Sequence, residues 1–288
     1  MSPRVHLLLP IHNRRATTLL FVEALGRQTY RNFHFTLIDD GSTDGTAAAV
    51  QRLFPEVDVI SGTGDWWRAD RLAEGCRHLQ RGGISDNDVL LLINDDVEIG
   101  PDFLAQGVEE LAARPGALML ARQLDAATGA VIDHGGGVTA DLRELRFTAA
   151  RSPAEVNCLP TRGLFLRWGD FVRIGPLVPE RLPHYLLDYE FTLRARGLAL
   201  VVAQRASLGV KSEQSGRSFA DLFALPRGAR FRMLFSERYK DDPLTWSAFV
   251  LLAVPPARRP YLWLKIWGAF LRTVWRSCVT PVPPAAPR

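Results

Sequence analysis

Hydrophobic positions in the first hundred residues fall into short aliphatic runs, each closed by a polar turn and followed by a stretch with helical spacing. Residues 5–10 (VHLLLP) read as a first strand, 33–38 as a second, 57–60 as a short third and 89–93 (VLLLI) as a fourth. Helices are expected over 17–25, 47–53, 71–80 and 101–111. An apolar run without polar alternation suits a strand buried on both faces, and strands alternating with helices demand a parallel sheet between helical layers. The pattern predicts an α/β fold. Far downstream, 246–254 and 261–276 have wide apolar faces, the second carrying a seam of Lys265, Arg272 and Arg276 beside Trp263, Trp267, Leu271 and Trp275. That helix is too short and too charged to span a bilayer but suits one lying in a membrane interface, or one packed on the main domain or on a second subunit.

The strand ends carry the candidate chemistry, because ligands of open α/β sheets bind beyond the carboxyl ends of the strands. The fourth run closes on Asn94-Asp95-Asp96. Adjacent carboxylates leaving a buried strand repel each other unless a cation or hydrogen-bond donors offset their charge, which points to a divalent metal. A turn that merely caps the helix at 101–111 is the competing reading. The first run closes on Pro10-Ile11-His12-Asn13-Arg14 and the second on Asp39-Asp40-Gly41-Ser42-Thr43-Asp44-Gly45. Between them and the acid pair, Gly64-Asp65-Trp66-Trp67 offers flat aromatic faces, followed by Arg68 and Arg71 as cations.

At 288 residues and 47% hydrophobic, the chain has material for a large core and one or two domains. From Pro226 onward eleven Lys or Arg face three Asp or Glu, a surplus of 8, so the first 225 residues carry 4 − 8 = −4 of the net +4. An acidic main domain argues against nucleic-acid binding, while the basic end points to an anionic surface. Cys76, Cys158 and Cys278 lie outside any metal-ligand spacing, and the apolar N-terminal stretch is too short for a signal peptide. Both features predict a cytoplasmic protein, and the basic end predicts that it is peripheral at the inner membrane face.

Together, the motif after the first strand, the Asp-Asp-Gly-Ser motif after the second and Asn94-Asp95-Asp96 after the fourth resemble family 2 glycosyltransferases of the GT-A fold. The resemblance spans roughly residues 4–212 and implies a Rossmann-like, mostly parallel sheet flanked by helices; the spacing and charge beyond it add a C-terminal amphipathic helical extension. It implies a catalytic domain over 1–225, with a nucleotide-sugar half to about residue 115 and an acceptor half after it, then a basic tail over 226–288. By the same likeness Asp40 reads the nucleotide base, Asp95 the ribose, and Asp96 holds Mg²⁺ or Mn²⁺ on the donor diphosphate. Pro10, His12, Asn13, Arg14, Trp67, Arg71 and Asn94 complete the donor site. The stretch Pro183-His184-Tyr185-Leu186-Leu187-Asp188-Tyr189-Glu190 resembles the acceptor-side helix start of bacterial rhamnosyltransferase-like members, which makes Asp188 the general base. His134, Gly163, His184, Tyr185 and Glu190 are the expected acceptor contacts.

The activity so implied is inverting transfer of a sugar from a nucleotide-diphosphate donor to a glycan or lipid-linked glycan, in cell-envelope polysaccharide synthesis and with rhamnose as one donor. In such a reaction the acceptor hydroxyl attacks opposite the leaving diphosphate, so a base is needed far from the metal site. The partners are the donor, the glycan and the membrane surface, with a homo-oligomer as a further option. A silent nucleotide- or glycan-binding module and a nucleotidyltransferase are the alternatives. The glycine-free first loop disfavours the latter, and a carboxylate at 188 disfavours the former.

Overall fold

The computed structural model describes residues 2–66, 68–183, 185–195, 197–211, 222, 225–234 and 242–280. The sheet is organised on β1 (Val5–Ile11), which lies between β2 (Phe33–Asp39) and β4 (Val89–Leu92) and is parallel to both. β3 (Asp58–Ser61) extends the β2 side. Beyond β4 come β9 (Leu164–Arg167), antiparallel to its neighbours, then β6 (Ala117–Asp125), β10 (Ala199–Val210) and the short β5 (Val97–Ile99). The resulting order is β3-β2-β1-β4-β9-β6-β10-β5, and β7 (Val138–Asp141) pairs with β8 (Arg146–Ala149) as a separate hairpin.

Alternate residues of the aliphatic strands feed cores on opposite faces, as runs buried on both sides require. Val89, Leu91 and Ile93 face α1 (Arg15–Gly26), α2 (Thr46–Leu53) and α4 (Phe103–Ala112). Leu90 and Leu92 face α3 (Arg68–Arg81), α5 (Trp168–Ile174) and α6 (Leu187–Arg194). One sheet therefore runs through both the donor and acceptor halves expected from sequence.

The residues after β4 do not open a helix cap. They lead into β5, and α4 begins only at Phe103 with no side-chain cap from Asp102. The edge of the sheet is fixed by Glu110 of α4, which accepts the amides of Gln204, Arg205 and Ala206 at 2.8 Å where β10 breaks register between Val202 and Ser207. Burial would raise this carboxyl, but the amide donors and Arg114 hold it below its usual range.

After residue 225 come α7 (Arg227–Leu234), α8 (Pro243–Ala253) and α9 (Arg259–Val279). Asp242 caps α8, accepting from Thr245 N at 2.8 Å. Phe249 of α8 is buried in the same core as Leu90 and Phe191, with its ring edge-on to Phe147 of β8. The Pro-rich residues 281–288 lie outside the described residues.

Candidate active site

Connectivity reverses direction between β1 and β4, and at such a point the loops that follow the two strands diverge to leave a crevice. The first loop contributes Arg14 and the second contributes Asp95 and Asp96. Asp95 is buried, accepts a hydrogen bond from Thr18 Oγ1 at 2.8 Å, and lies 3.4 Å from Arg14 Nε. Burial raises its carboxyl above the ordinary range, Arg14 and Thr18 pull it back, and Asp96 adds to the rise. Asp96 is more exposed, with Arg14 Nη2 3.8 Å from its Oδ2, while its buried Oδ1 finds no hydrogen-bond donor. An orphaned carboxylate oxygen beside a second carboxylate fits a hard divalent cation. Among the described residues no group of three or more His, Cys, Asp or Glu could hold a metal alone, so a cation here needs ligands from substrate and water.

The neighbouring crevice wall is a closed network between the first two loops. Asn13 Oδ1 accepts from Thr43 N at 2.8 Å, which leaves its Nδ2 to donate to His12 Nε2 at 3.1 Å. His12 Nδ1 then carries the proton and donates to Asp40 O at 2.6 Å. Asn13 takes a left-handed backbone, φ 50°, tolerable for Asn. Asp40 is buried, and its Oδ1 accepts the Gly64 amide at 2.8 Å. Gly41 is required here: a Cβ would stand 2.8 Å from Gly64 N. Arg71 Nη1 donates to Ile11 O at 3.0 Å, Pro10 is the penultimate residue of β1, and Asn94 is buried between β4 and the acid pair. Trp67 lies outside the described residues, while Trp66 packs partly buried on the core.

A second concavity of about 350 Å³ holds Asp188 together with Asp133, Gln123, Arg162, Phe147 and Tyr189. Its floor belongs to the same sheet edge as the acid pair. Gly163 N donates to Leu92 O at 2.9 Å, so residues just before β9 sit against the end of β4. Leu186, buried and left-handed at φ 67°, turns the chain into α6. A branched residue in that region costs about 1–2 kcal/mol, a strain offset here by packing. Thr192 fastens the helix: its Oγ1 accepts from Leu159 N at 3.1 Å and donates back to Asp188 O at 3.1 Å.

The expected acceptor contacts are not all brought to this cleft. Gly163 is buried, where a Cβ would meet Leu208 at 2.5 Å, so its role is close packing. Glu190 is buried beneath α6 and pairs with Arg194 Nε at 2.6 Å; burial raises its carboxyl and Arg194 opposes the rise. His134 stands exposed in a turn whose glycines pack on the protein's own side chains, Gly136 against Gln123 and Gly135 against Val202. Tyr185 is half-buried on the core, and burial raises its hydroxyl. His184 lies outside the described residues.

A crevice with an acid pair at a switch point, opposite a cleft with its own carboxylate, is the arrangement against which known proteins can be compared. Residues 7–143 match the model of glycosyl transferase family 2. The match holds the first two loops and the acid pair and ends before Arg162 and Asp188. No curated protein matches the chain. The mannosyltransferase PcManGT from Pyrobaculum calidifontis, solved with GDP-Man and Mn²⁺, superposes with a TM-score of 0.56 at 16% identity, over 98% of this chain and 77% of that one. S. aureus TarS gives 0.59 at 13%, over 95% and 54% of the two chains. GalNAc-T7, solved with UDP, GalNAc and Mn²⁺, gives 0.59 at 13%, over 93% and 55%. The chain thus spans little more than half the length of the latter two. At such identities the likeness is one of fold, and the fold is GT-A-like, as the family 2 match also implies.

Sequence reading missed Thr18 and Gln123, whereas Arg162 lies in the stretch 161–166, whose likeness to acceptor-side elements of the family was legible in the sequence. A hydroxyl inside the apolar face of the first helix was the available signal for Thr18. Gln123 had none, since the strand that carries it, β6, was not anticipated.

Proposed function

We propose that this chain is a metal-dependent, inverting glycosyltransferase that moves a sugar from a nucleoside diphosphate to a hydroxyl of a glycan acceptor. The observation that carries the reading is the partition of carboxylates: Asp95 and Asp96 in the crevice between β1 and β4, and Asp188 in a separate cleft at the same sheet edge. The neighbours solved with GDP-Man and Mn²⁺, and with UDP, GalNAc and Mn²⁺, support the same class.

In this reading Asp40, fixed by Gly64, accepts from the base, and Asn94 and Asp95 accept from ribose hydroxyls. His12, Asn13, Arg14 and Arg71 shape and neutralise the donor crevice, with Trp67 at its mouth. Arg14 screens the acid pair before donor arrives, and donor phosphates then compete for its guanidinium. Asp96 would hold the divalent cation, Mg²⁺ or Mn²⁺, which when bound neutralises charge gathering on the departing diphosphate. Asp188 takes the proton of the acceptor hydroxyl as that oxygen attacks the anomeric carbon, the carbon–phosphate oxygen bond breaks, and the nucleoside diphosphate leaves on the opposite side. Arg162 orients the acceptor within the cleft. The likeness of residues 183–194 to rhamnosyltransferase-like members makes an activated rhamnose the first donor to test, and cell-envelope polysaccharide the first acceptor class.

The test is thermal unfolding with UDP, GDP and dTDP, each with and without Mn²⁺. Stabilisation by one of them that requires Mn²⁺ is expected. Equal stabilisation with and without the ion would remove the metal from the reading, and none in any condition would remove the nucleotide.

A further inference from the structure

The outer surface of α9 has no use in the proposed transfer. Its inner side is settled: Leu262, Phe270 and Ser277 are buried, the first with Val250 and Val254 of α8 and the second with Leu222 and Leu234. On the outer side Tyr261, Leu264, Leu271 and Trp275 follow one another at three, seven and four residues, one face of a helix, and Leu264 and Trp275 are 77% and 65% exposed. Beside them Arg272 and Arg276 form a basic edge and make no ion pair among the described residues, while Lys265 is tied to Glu144 O at 3.0 Å. α9 contains no Asp or Glu. Exposed Leu244, Leu251 and Leu252 add apolar surface on α8, to which α9 is linked by Trp263 Nε1 and Ser247 O at 3.4 Å.

We propose that this face of the α8–α9 hairpin docks on an anionic lipid surface. Apolar and tryptophan side chains along one stripe, flanked by cations, suit a helix lying in the headgroup boundary. None of the described helices is long and apolar enough to cross a membrane. Charge complementarity selects lipid over a second copy of the chain. Two α9 helices face to face would align Arg272 and Arg276 with like charges and offer no carboxylate in either helix, whereas anionic headgroups supply the missing charge.

The docking does not depend on the transfer reading, yet it would bear on it. Phe147 lines the Asp188 cleft and stacks on Tyr189, and its other neighbours are Trp246 and Phe249 of α8. Leu142 and Leu145, in the turn between β7 and β8, pack on Val250, Val254 and Leu262. The hairpin that would meet lipid is thus the buttress of the cleft wall, so docking would bring the cleft close to an acceptor carried by lipid.

The test is flotation of the full-length protein with phosphatidylcholine vesicles, with and without phosphatidylglycerol, at low and high salt. Binding is expected only to the anionic vesicles and only at low salt. Leu264→Ser with Trp275→Ser should abolish it, and Arg272→Gln with Arg276→Gln should weaken it about tenfold. Both pairs should melt like the wild type and keep any nucleotide-dependent stabilisation, which separates this proposal from the transfer reading. Wild-type protein that stays unbound to anionic vesicles at low salt overturns the proposal. So does a dimer, seen by sedimentation equilibrium, that Leu264→Ser with Trp275→Ser dissociates while vesicles recover none of the wild type. Should the apolar pair misfold, the arginine pair and the salt series on wild type still decide.

Discussion

Asp95 follows directly from a buried strand and is held by Thr18 and Arg14 from the adjoining α1 and its preceding loop, whereas Asp188 stands half-buried in a cleft assembled from β6, the 133–137 turn, the β7–β8 hairpin, the 160–162 segment and α6. The first site is local to a switch point and comes with its counter-charge. The second depends on packing between distant segments, down to Phe249 of α8 against Phe147. On the proposed reading, donor chemistry would sit where one strand ends, and acceptor chemistry in a wall assembled from distant segments.

The largest expected effect separates the two sites by kinetics. Asp188→Asn keeps the shape of the side chain and can still accept from Tyr189 N, now at 3.0 Å, but cannot take a proton. Transfer should fall about 100- to 10,000-fold, in kcat and with little change in the donor KM. Retained transfer in this variant, with loss in Glu190→Gln, would move the base beneath α6 and break the comparison. Next in size, Asp96→Ala removes the orphaned oxygen, and calorimetry should show nucleoside diphosphate binding in Mn²⁺ weakened about 10- to 100-fold, with binding of the bare nucleoside little changed. A smaller effect is expected at Thr192, which ties Asp188 O to Leu159 N. Thr192→Val should lower kcat about tenfold by loosening α6 and leave diphosphate binding as in the wild type. A matching loss of diphosphate binding would mean that the two sites are one cooperative unit.

The unequal construction of the sites also explains how much of each was legible in the sequence. VLLLI followed by two carboxylates announces a strand buried on both faces and its charged end, because both signals lie within one stretch. Apart from β5, the strand–helix order of the first hundred residues followed from the same periodicity, with bounds that move by up to three residues. The second half gave less. β9 is short and β10 is interrupted by the four-residue break that Glu110 holds, so neither presents a long clean period. Arg162 and Gln123 reach the cleft only through the antiparallel placement of β9 between β4 and β6, a long-range pairing that no local pattern encodes. Glu190 shows the limit of motif likeness. The spacing to Arg194 already allowed an internal ion pair, and the fold buries it there.

The smallest effect tests whether the donor crevice is strained before its ligand arrives. Burial raises the Asp95 carboxyl, so the folded state favours its protonated form more than the unfolded chain does. Below the ordinary carboxylate range, about pH 4, both states are protonated and there is no penalty. As pH rises through the raised folded value, ionisation is opposed by burial and the fold loses stability, the reverse of the behaviour of a carboxylate whose value is depressed. Asp95→Asn keeps an acceptor for Thr18 Oγ1 and removes the charge. At neutral pH the ligand-free variant should therefore melt higher than the wild type, on the order of 2 °C, and the difference should vanish on acidification. With nucleoside diphosphate and Mn²⁺ the order should invert, because the wild type gains more from the ligand than the variant. A variant that is less stable than the wild type at neutral pH would show that Arg14 already offsets the burial of Asp95 in full, and the crevice would then be no more strained than the cleft.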